Sequence, residues 1–237
     1  MASTLFISDL HLSDNTPEIE AGLYQFLERE QDMARLFILG DFFEYWIGDD
    51  DDTPLARRVI SALRQVSARG TELYLVRGNR DLALGSVFAD QVGATLLGDT
   101  TVVDLEGVAT LILHGDTLCT DDVEYQKMRA ILHDPAWQAD MLQRPLEERR
   151  QFAQGLRNAS QEKADKDPDN IIDVNDDAVA AAFADHGVDR MIHGHTHRPH
   201  AHQTPAGERL VLGDWSASQG WCVRSYQGAC SLESFSY

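Results

Sequence analysis

Residues 5–11, Leu5-Phe6-Ile7-Ser8-Asp9-Leu10-His11, run from a short apolar stretch straight into a carboxylate and an imidazole two positions apart. The same arrangement returns along the chain: Leu36 to Leu39 lead into Gly40-Asp41, Glu72 to Val76 into Gly78-Asn79, and Thr110 to Leu113 into His114. Between the first three runs the apolar spacing changes from strand-like to helical, with Ile19, Leu23, Phe26 and Leu27, then Leu55, Val59, Leu63 and Val66, each on one face. Alternating strands and helices predict βαβ units around a mainly parallel sheet, hence an α/β fold. In such sheets ligands gather beyond the carboxyl ends of the strands, where short loops converge. The Asp, Asn and His residues are placed there.

At 237 residues one large domain is expected, spanning 1–237. The alternation is interrupted at about 122–165 by an amphipathic helical stretch broken at Pro135 and Pro145 and carrying Met128, Ile131, Leu132, Trp137, Met141, Leu142, Leu146, Phe152 and Leu156. It reads as an inserted helical cap, or else as an ordinary hairpin packed on the sheet. An Ala-rich helix near 178–183, the run Arg190 to His197 and strands near Leu210 and Val223 complete the pattern.

The formal charge of −19 argues against a nucleic-acid sleeve, which would need clustered Lys and Arg. The charge is uneven. Residues 127–166 hold eight Lys or Arg against six Asp or Glu, so this stretch is relatively basic. Cys119, Cys222 and Cys230 form no C-x-x-C pair and read as reduced thiols. The start, MASTLFISDLHLS, lacks a basic flank and reads as a first strand rather than a signal peptide, so a cytosolic location is expected. No window approaches the ~20 apolar residues that cross a bilayer, so any membrane association is expected to be peripheral.

Asp9 and His11 lie two apart, and a strand's period of two points both to one side. Asp41, Asn79 and His195 each follow a glycine, which permits tight turns and close approach. Singly, an Asp at a helix start is often a cap and a His often a surface or core residue. Together, Asp9, His11, Asp41, Asn79, His114, His195 and His197 offer oxygen and imidazole donors without thiolate, a set suited to Mn²⁺, Fe²⁺ or Zn²⁺ with open positions. Asp49 to Asp52 read as an acidic solvated loop, and His200 and His202 as surface positions. Trp46 and Trp215 have two readings, the floor of a site or core packing.

The order D-x-H, G-D, G-N, H, G-H-x-H resembles the calcineurin-like metallophosphoesterase family across most of the chain. The resemblance implies layered β-sheets flanked by helices and two ions, one on Asp9, His11 and His197, the other on Asn79, His114 and His195, with Asp41 bridging. Such a pair clamps the oxygens of an in-line displacement at phosphorus. Two divalent ions, two carboxylates, a diphosphate diester and a hydroxide nucleophile leave one negative charge, which Arg80 would cancel. Many members carry G-N-H-D, whose His protonates an alkoxide; here the run is Gly78-Asn79-Arg80-Asp81. A phosphate leaving group needs no such acid, so Asn79 and Arg80 as catalytic residues point to a pyrophosphate bond.

FISDLHL, LGDFFEYWIGDDD, GNRD, HGDTLCTDD, IIDVN, IHGHTHRP and VLGDW are further similar to the branch of that family that hydrolyses UDP-2,3-diacylglucosamine in Gram-negative lipid A biosynthesis. That likeness implies release of UMP, two Mn²⁺ ions per chain, and peripheral attachment to the cytoplasmic face of the inner membrane, with a monomer as the expectation. It places Asp122, Ser160, Asn79, Arg80 and His195 against substrate. The branch carries an Asn four and a Lys seven residues after this Ser, whereas the chain has Ala164 and Asp167, with Lys163 and Lys166 one residue away. One residue turns a helix by ~100°, so either Lys would reach only through its long stem. Two other readings stand beside this one: a pyrophosphatase or phosphodiesterase with a soluble substrate, and a non-catalytic scaffold on the same fold, against which stands the filling of every ligand position.

Overall fold

The computed structural model describes residues 3–166 and 173–237, the side chains of residues 160–166 excepted. Ser160, Lys163 and Lys166 therefore lie outside the residues whose side chains are described.

The first half is built from strand and helix in turn: β1 (Thr4–Ile7), α1 (Pro17–Arg29), β2 (Arg35–Leu39), α2 (Pro54–Ala68), β3 (Glu72–Val76), α3 (Ser86–Val92) and the short β4 (Ala94–Leu96). β1 to β4 pair in parallel, as the alternation predicts. α1 and α2 each have a local reason to start. Pro17 and Pro54 occupy first-turn positions, where a missing N–H costs nothing, and the Thr53 hydroxyl caps Ala56 N–H. Both bury the spaced residues named above.

The sheet is not wholly parallel, and there are two. β5 (Thr100–Leu105), β6 (Val108–Leu113), β7 (Arg190–His193), β8 (His200–Thr204) and β9 (Gly207–Val211) form a second sheet, ordered β5-β6-β7-β9-β8. β10 (Gln219–Tyr226) and β11 (Ala229–Ser236) extend the first, ordered β11-β10-β1-β2-β3-β4. The antiparallel pairs β5–β6, β8–β9 and β10–β11 are hairpins closed by tight turns, too short for the crossover that parallel pairing requires.

Alternation within a strand sets the layers. Leu5 and Ile7 face α1 and α2, whereas Phe6 faces the second sheet together with Phe37, Ile112, Ile192 and Leu210. On the far side of the second sheet Leu111, Leu113 and Met191 pack on Val179 and Phe183 of α7 (Asp176–His186). The result is helix, sheet, sheet, helix.

Between β6 and α7 lie α4 (Val123–Leu132), α5 (Pro135–Gln143) and α6 (Leu146–Lys166). Asp122 and Asp134 cap the first two through Tyr125 N–H and Trp137 N–H. Arginines join these helices to the body. Arg129 pairs with Asp116 at 2.6 Å and Asp99 at 2.8 Å, Arg149 with Asp50 and the Ile47 carbonyl, and Arg150 with Asp51. The acidic loop at 49–52 is thus only partly solvated: Asp49 accepts from Trp46 Nε1, Gly85 N–H and Phe88 N–H, and Asp50 and Asp51 take cap arginines. No helix among the described residues is long and apolar enough to cross a membrane.

Candidate active site

Both sheets deliver their parallel strands to one rim, and the candidate ligands follow the strand ends there. Asp9 and His11 follow β1, Asp41 follows β2, Asn79 follows β3, His114 follows β6, and His195 and His197 follow β7. The strand-period argument for Asp9 and His11 does not hold. β1 ends at Ile7, and both residues have left-handed backbone, at φ 56° and 51°; it is this turn, not a pleat, that turns both side chains inward. Asp41, His195 and His197 share that conformation at 50°, 69° and 54°. Backbone of this kind is costly for a residue with a Cβ and is kept where surrounding structure enforces it. The glycines act by close approach: a Cβ on Gly78 would strike the Asp41 backbone and carboxylate, and one on Gly194 would strike Asp9 and Ser8.

Two donor groups result. In one, His11 Nε2 lies 3.2 Å from His197 Nε2, and His197 Nε2 lies 3.4 Å from Asp9 Oδ1. In the other, Asn79 Oδ1 is 3.0 Å from both His114 Nε2 and His195 Nδ1, which are 3.2 Å from each other. Asp41 Oδ1 is 3.6 Å from His114 Nε2 and accepts Arg80 N–H at 2.9 Å. An ion with bonds of ~2.1 Å holds adjacent donors about 3.0–3.4 Å apart, so these spacings fit divalent cations. Asp9 with His11 and His197, and Asp9 with Asp41 and His114, each bring ligand atoms within 4.8 Å of one another.

The electrostatics point the same way. Burial pushes Asp41 up to about 7, with Asp81 and Asp9 adding to the rise against His114 and Arg80. Burial would also raise Asp9, but its hydrogen bond to His197 and the charge of nearby histidines hold it well below the carboxylate range. His114 rises to about 9: burial opposes the charged ring, but Asp41, Asp9 and Asp116 overcome it. Burial and neighbouring His114 lower His195 to about 3. Buried carboxylates here draw a proton onto an enclosed imidazole, and a cation meets the same demand.

Above these groups the cap helices and the loops after β2 and β3 form an open apolar cleft lined by Trp46, Leu132, Trp137, Met141, Phe152 and Leu156 and reaching Asn79 and Arg80 at its polar end. Trp46 does both things foreseen for it, packing on Phe43 and Phe88 while lining the cleft; Trp215 is core, edge-on to Phe26.

A family model for calcineurin-like phosphoesterases matches residues 2–199. The chain belongs to the calcineurin-like phosphoesterase family. Among its relatives is a UDP-2,3-diacylglucosamine hydrolase of Marinobacter nauticus, 47% identical over 228 residues that cover 94% of this chain and 93% of that protein. Another hydrolase of that name, from Stenotrophomonas maltophilia, is 46% identical over 243 residues covering 98% of each. A solved archaeal phosphodiesterase, 12% identical, covers 99% of both chains with a TM-score of 0.53 and shares the fold.

In this phosphoesterase the sequence reading passes over three carboxylates. Asp81 accepts from Gly78 N–H at 2.7 Å and Phe42 N–H at 2.8 Å, tying the Asp41 loop to the Asn79 loop; its place directly after Gly78-Asn79-Arg80 is the signal that could have marked it. Asp116 takes Tyr125 Oη at 2.7 Å as well as Arg129, and the Tyr125 ring lies 5.9 Å from that of His195. Glu44 pairs with Arg80 at 2.7 Å, with Arg157 of α6, and faces His11 Nδ1 at 3.8 Å; a lone Glu in an aromatic run gives no signal.

Proposed function

We propose that this phosphoesterase hydrolyses the pyrophosphate bond of UDP-2,3-diacylglucosamine, water attacking the α-phosphorus to give UMP and 2,3-diacylglucosamine 1-phosphate. The observation that carries this reading is the apolar cleft ending at Asn79 and Arg80, which offers one end to acyl chains and the other to phosphates. The near-full-length likeness to hydrolases named for that substrate supports it.

Asp9, His11 and His197 would hold one ion, Asn79, His114 and His195 a second, and Asp41 would reach both, with Mn²⁺ as the proposed metal. Bound there, divalent ions neutralise phosphate charge and make water a competent nucleophile near neutral pH. The Arg80 guanidinium, whose Nε stands 3.8 Å from Asp41, is placed to grip the phosphate oxygens on which charge gathers. With no imidazole in place of Arg80, the departing phosphate leaves as an anion without a proton from that position. Asp122, at the start of α4, and Ser160, Lys163 and Lys166, along α6, are proposed for the sugar and its phosphate. Attachment to the cytoplasmic face of the inner membrane is proposed through the cap, where Val123, Met128 and Ile131 are exposed.

UMP release from acylated and deacylated UDP-glucosamine, with Mn²⁺ supplied, tests this. Removing the chains is expected to lower kcat/KM by about 100-fold or more, the loss of several buried methylenes. Equal kcat/KM for the two would defeat the lipid reading.

A further inference from the structure

Glu44 is an odd residue to find where a diphosphate should bind, since a carboxylate there repels substrate. It follows β2 by five residues, its backbone N–H is fixed to the Leu12 carbonyl at 3.0 Å, and its side chain is 15% exposed. From that point it meets three parts of the site. Oε1 takes Arg80 Nη1 from the loop after β3 and Arg157 Nε from α6, so one carboxylate joins an arginine of the body to an arginine of the cap. Oε2 faces the ring of His11.

The His11 contact has a chemical reason. Nε2 is the edge turned toward His197 and the donor group, which leaves Nδ1 to carry the proton. Nδ1 is buried without a hydrogen-bond partner, and Glu44 Oε2, 3.8 Å away, is a carboxylate that faces it. Ligating imidazoles ordinarily donate their other N–H to a carboxylate or carbonyl, which fixes the ring and strengthens the ligand. A small turn of the Glu44 carboxylate toward Nδ1 would close that gap.

We propose that Glu44 is a positioning residue for the hydrolysis: it holds Arg80 and Arg157 together at the polar end of the cleft and orients His11 through its Nδ1–H. This rests on the proposed hydrolytic reading. A carboxylate that clasps two guanidiniums competes with a phosphate for them, so its removal does not weaken ground-state binding, while the lost placement of His11 and Arg80 lowers turnover.

Glu44→Gln keeps the shape and removes the charge, and Glu44→Asp keeps the charge on a shorter arm. For Glu44→Gln, kcat for UMP release is expected to fall about 10- to 100-fold with KM unchanged or lower, and Mn²⁺ affinity of metal-stripped protein, by calorimetric titration, to fall about 10-fold. Glu44→Asp is expected to lie between Glu44→Gln and the parent in both. The proposal is overturned if Glu44→Gln keeps kcat and Mn²⁺ affinity within about twofold of the parent, if its loss is wholly a raised KM, or if only thermal stability changes. Should the parent release no UMP, the substrate reading has failed, and the Mn²⁺ affinities still decide the role of Glu44.

Discussion

His193 sits at the end of β7 with its ring fully enclosed, one residue before Gly194. Nδ1–H donates to the Gly194 carbonyl at 2.9 Å, so Nε2 is the acceptor that receives Arg209 Nη1 at 3.2 Å. A neutral ring satisfies both partners and a protonated one confronts a guanidinium. Burial, with Arg209 adding to it, accordingly lowers its pKa from 6.5 to about 4. Above pH 6.5 the ring is neutral in folded and unfolded chains alike, and its contribution is complete. As pH falls from 6.5 toward 4 the unfolded chain takes up a proton that the folded chain refuses, and on the order of 3 kcal/mol is lost. His11 and His195, each lowered to about 3 chiefly by burial, act in the same direction, whereas Asp41, raised to about 7 by burial, gains its proton in the folded chain over this range and offsets about one of them. Thermal denaturation of metal-stripped protein should therefore show Tm falling between pH 7 and 5. His193→Gln, which can still donate to Gly194 or accept from Arg209 but cannot charge, should flatten that slope; an unchanged slope would assign the pH response elsewhere.

At the scale of elements, the cap shows what local sequence reveals and what it withholds. The extents of α4, α5 and α6 follow from spaced apolar residues, from Pro135 and Pro145 at breaks, and from Asp122 and Asp134 as caps, all short-range features. That Trp137 and Phe152, rings 5.5 Å apart, line a cleft rather than a core depends on what stands across from them, and no window of sequence holds that information. The sheets divide along the same line. β1 to β3 are legible because helices separate them, whereas β6 pairs with β7 across more than seventy residues and the short edge strands β4 and β8 carry little apolar signal. The ligands after strand ends are legible as residue types; the left-handed turns that aim Asp9 and His11 are not. Removing one wall of the cleft tests its role. Trp137→Ala is expected to lower kcat/KM for the acylated substrate about 10- to 100-fold, the loss of one large apolar side chain, and to leave the deacylated one unaffected. A parallel loss on both substrates would show that Trp137 supports the fold and not the chains.

On the whole molecule the charge of −19 bears on the proposed attachment to an anionic membrane. The basic excess at 127–166 suggests a cap that offsets the repulsion, but the structure directs most of it elsewhere. Arg129, Arg149, Arg150 and Arg157 reach carboxylates of the body, and Lys127 and Arg144 pair within their own helices. Among what the cap presents outward is an apolar group on α4, Val123, Met128 and Ile131. Attachment by such a surface gains from apolar insertion and loses to long-range repulsion between the acidic body and anionic lipid. Salt screens the second and leaves the first, since the Debye length falls from ~10 Å at 0.1 M to ~3 Å at 1 M. Vesicle cosedimentation should then show binding to phosphatidylglycerol-containing bilayers that strengthens with added salt, the reverse of a polybasic anchor. Met128→Asp with Ile131→Asp should abolish that binding while kcat on detergent-dispersed substrate persists. Release of the parent protein by salt would show instead that basic groups, and not the apolar face of α4, make the contact.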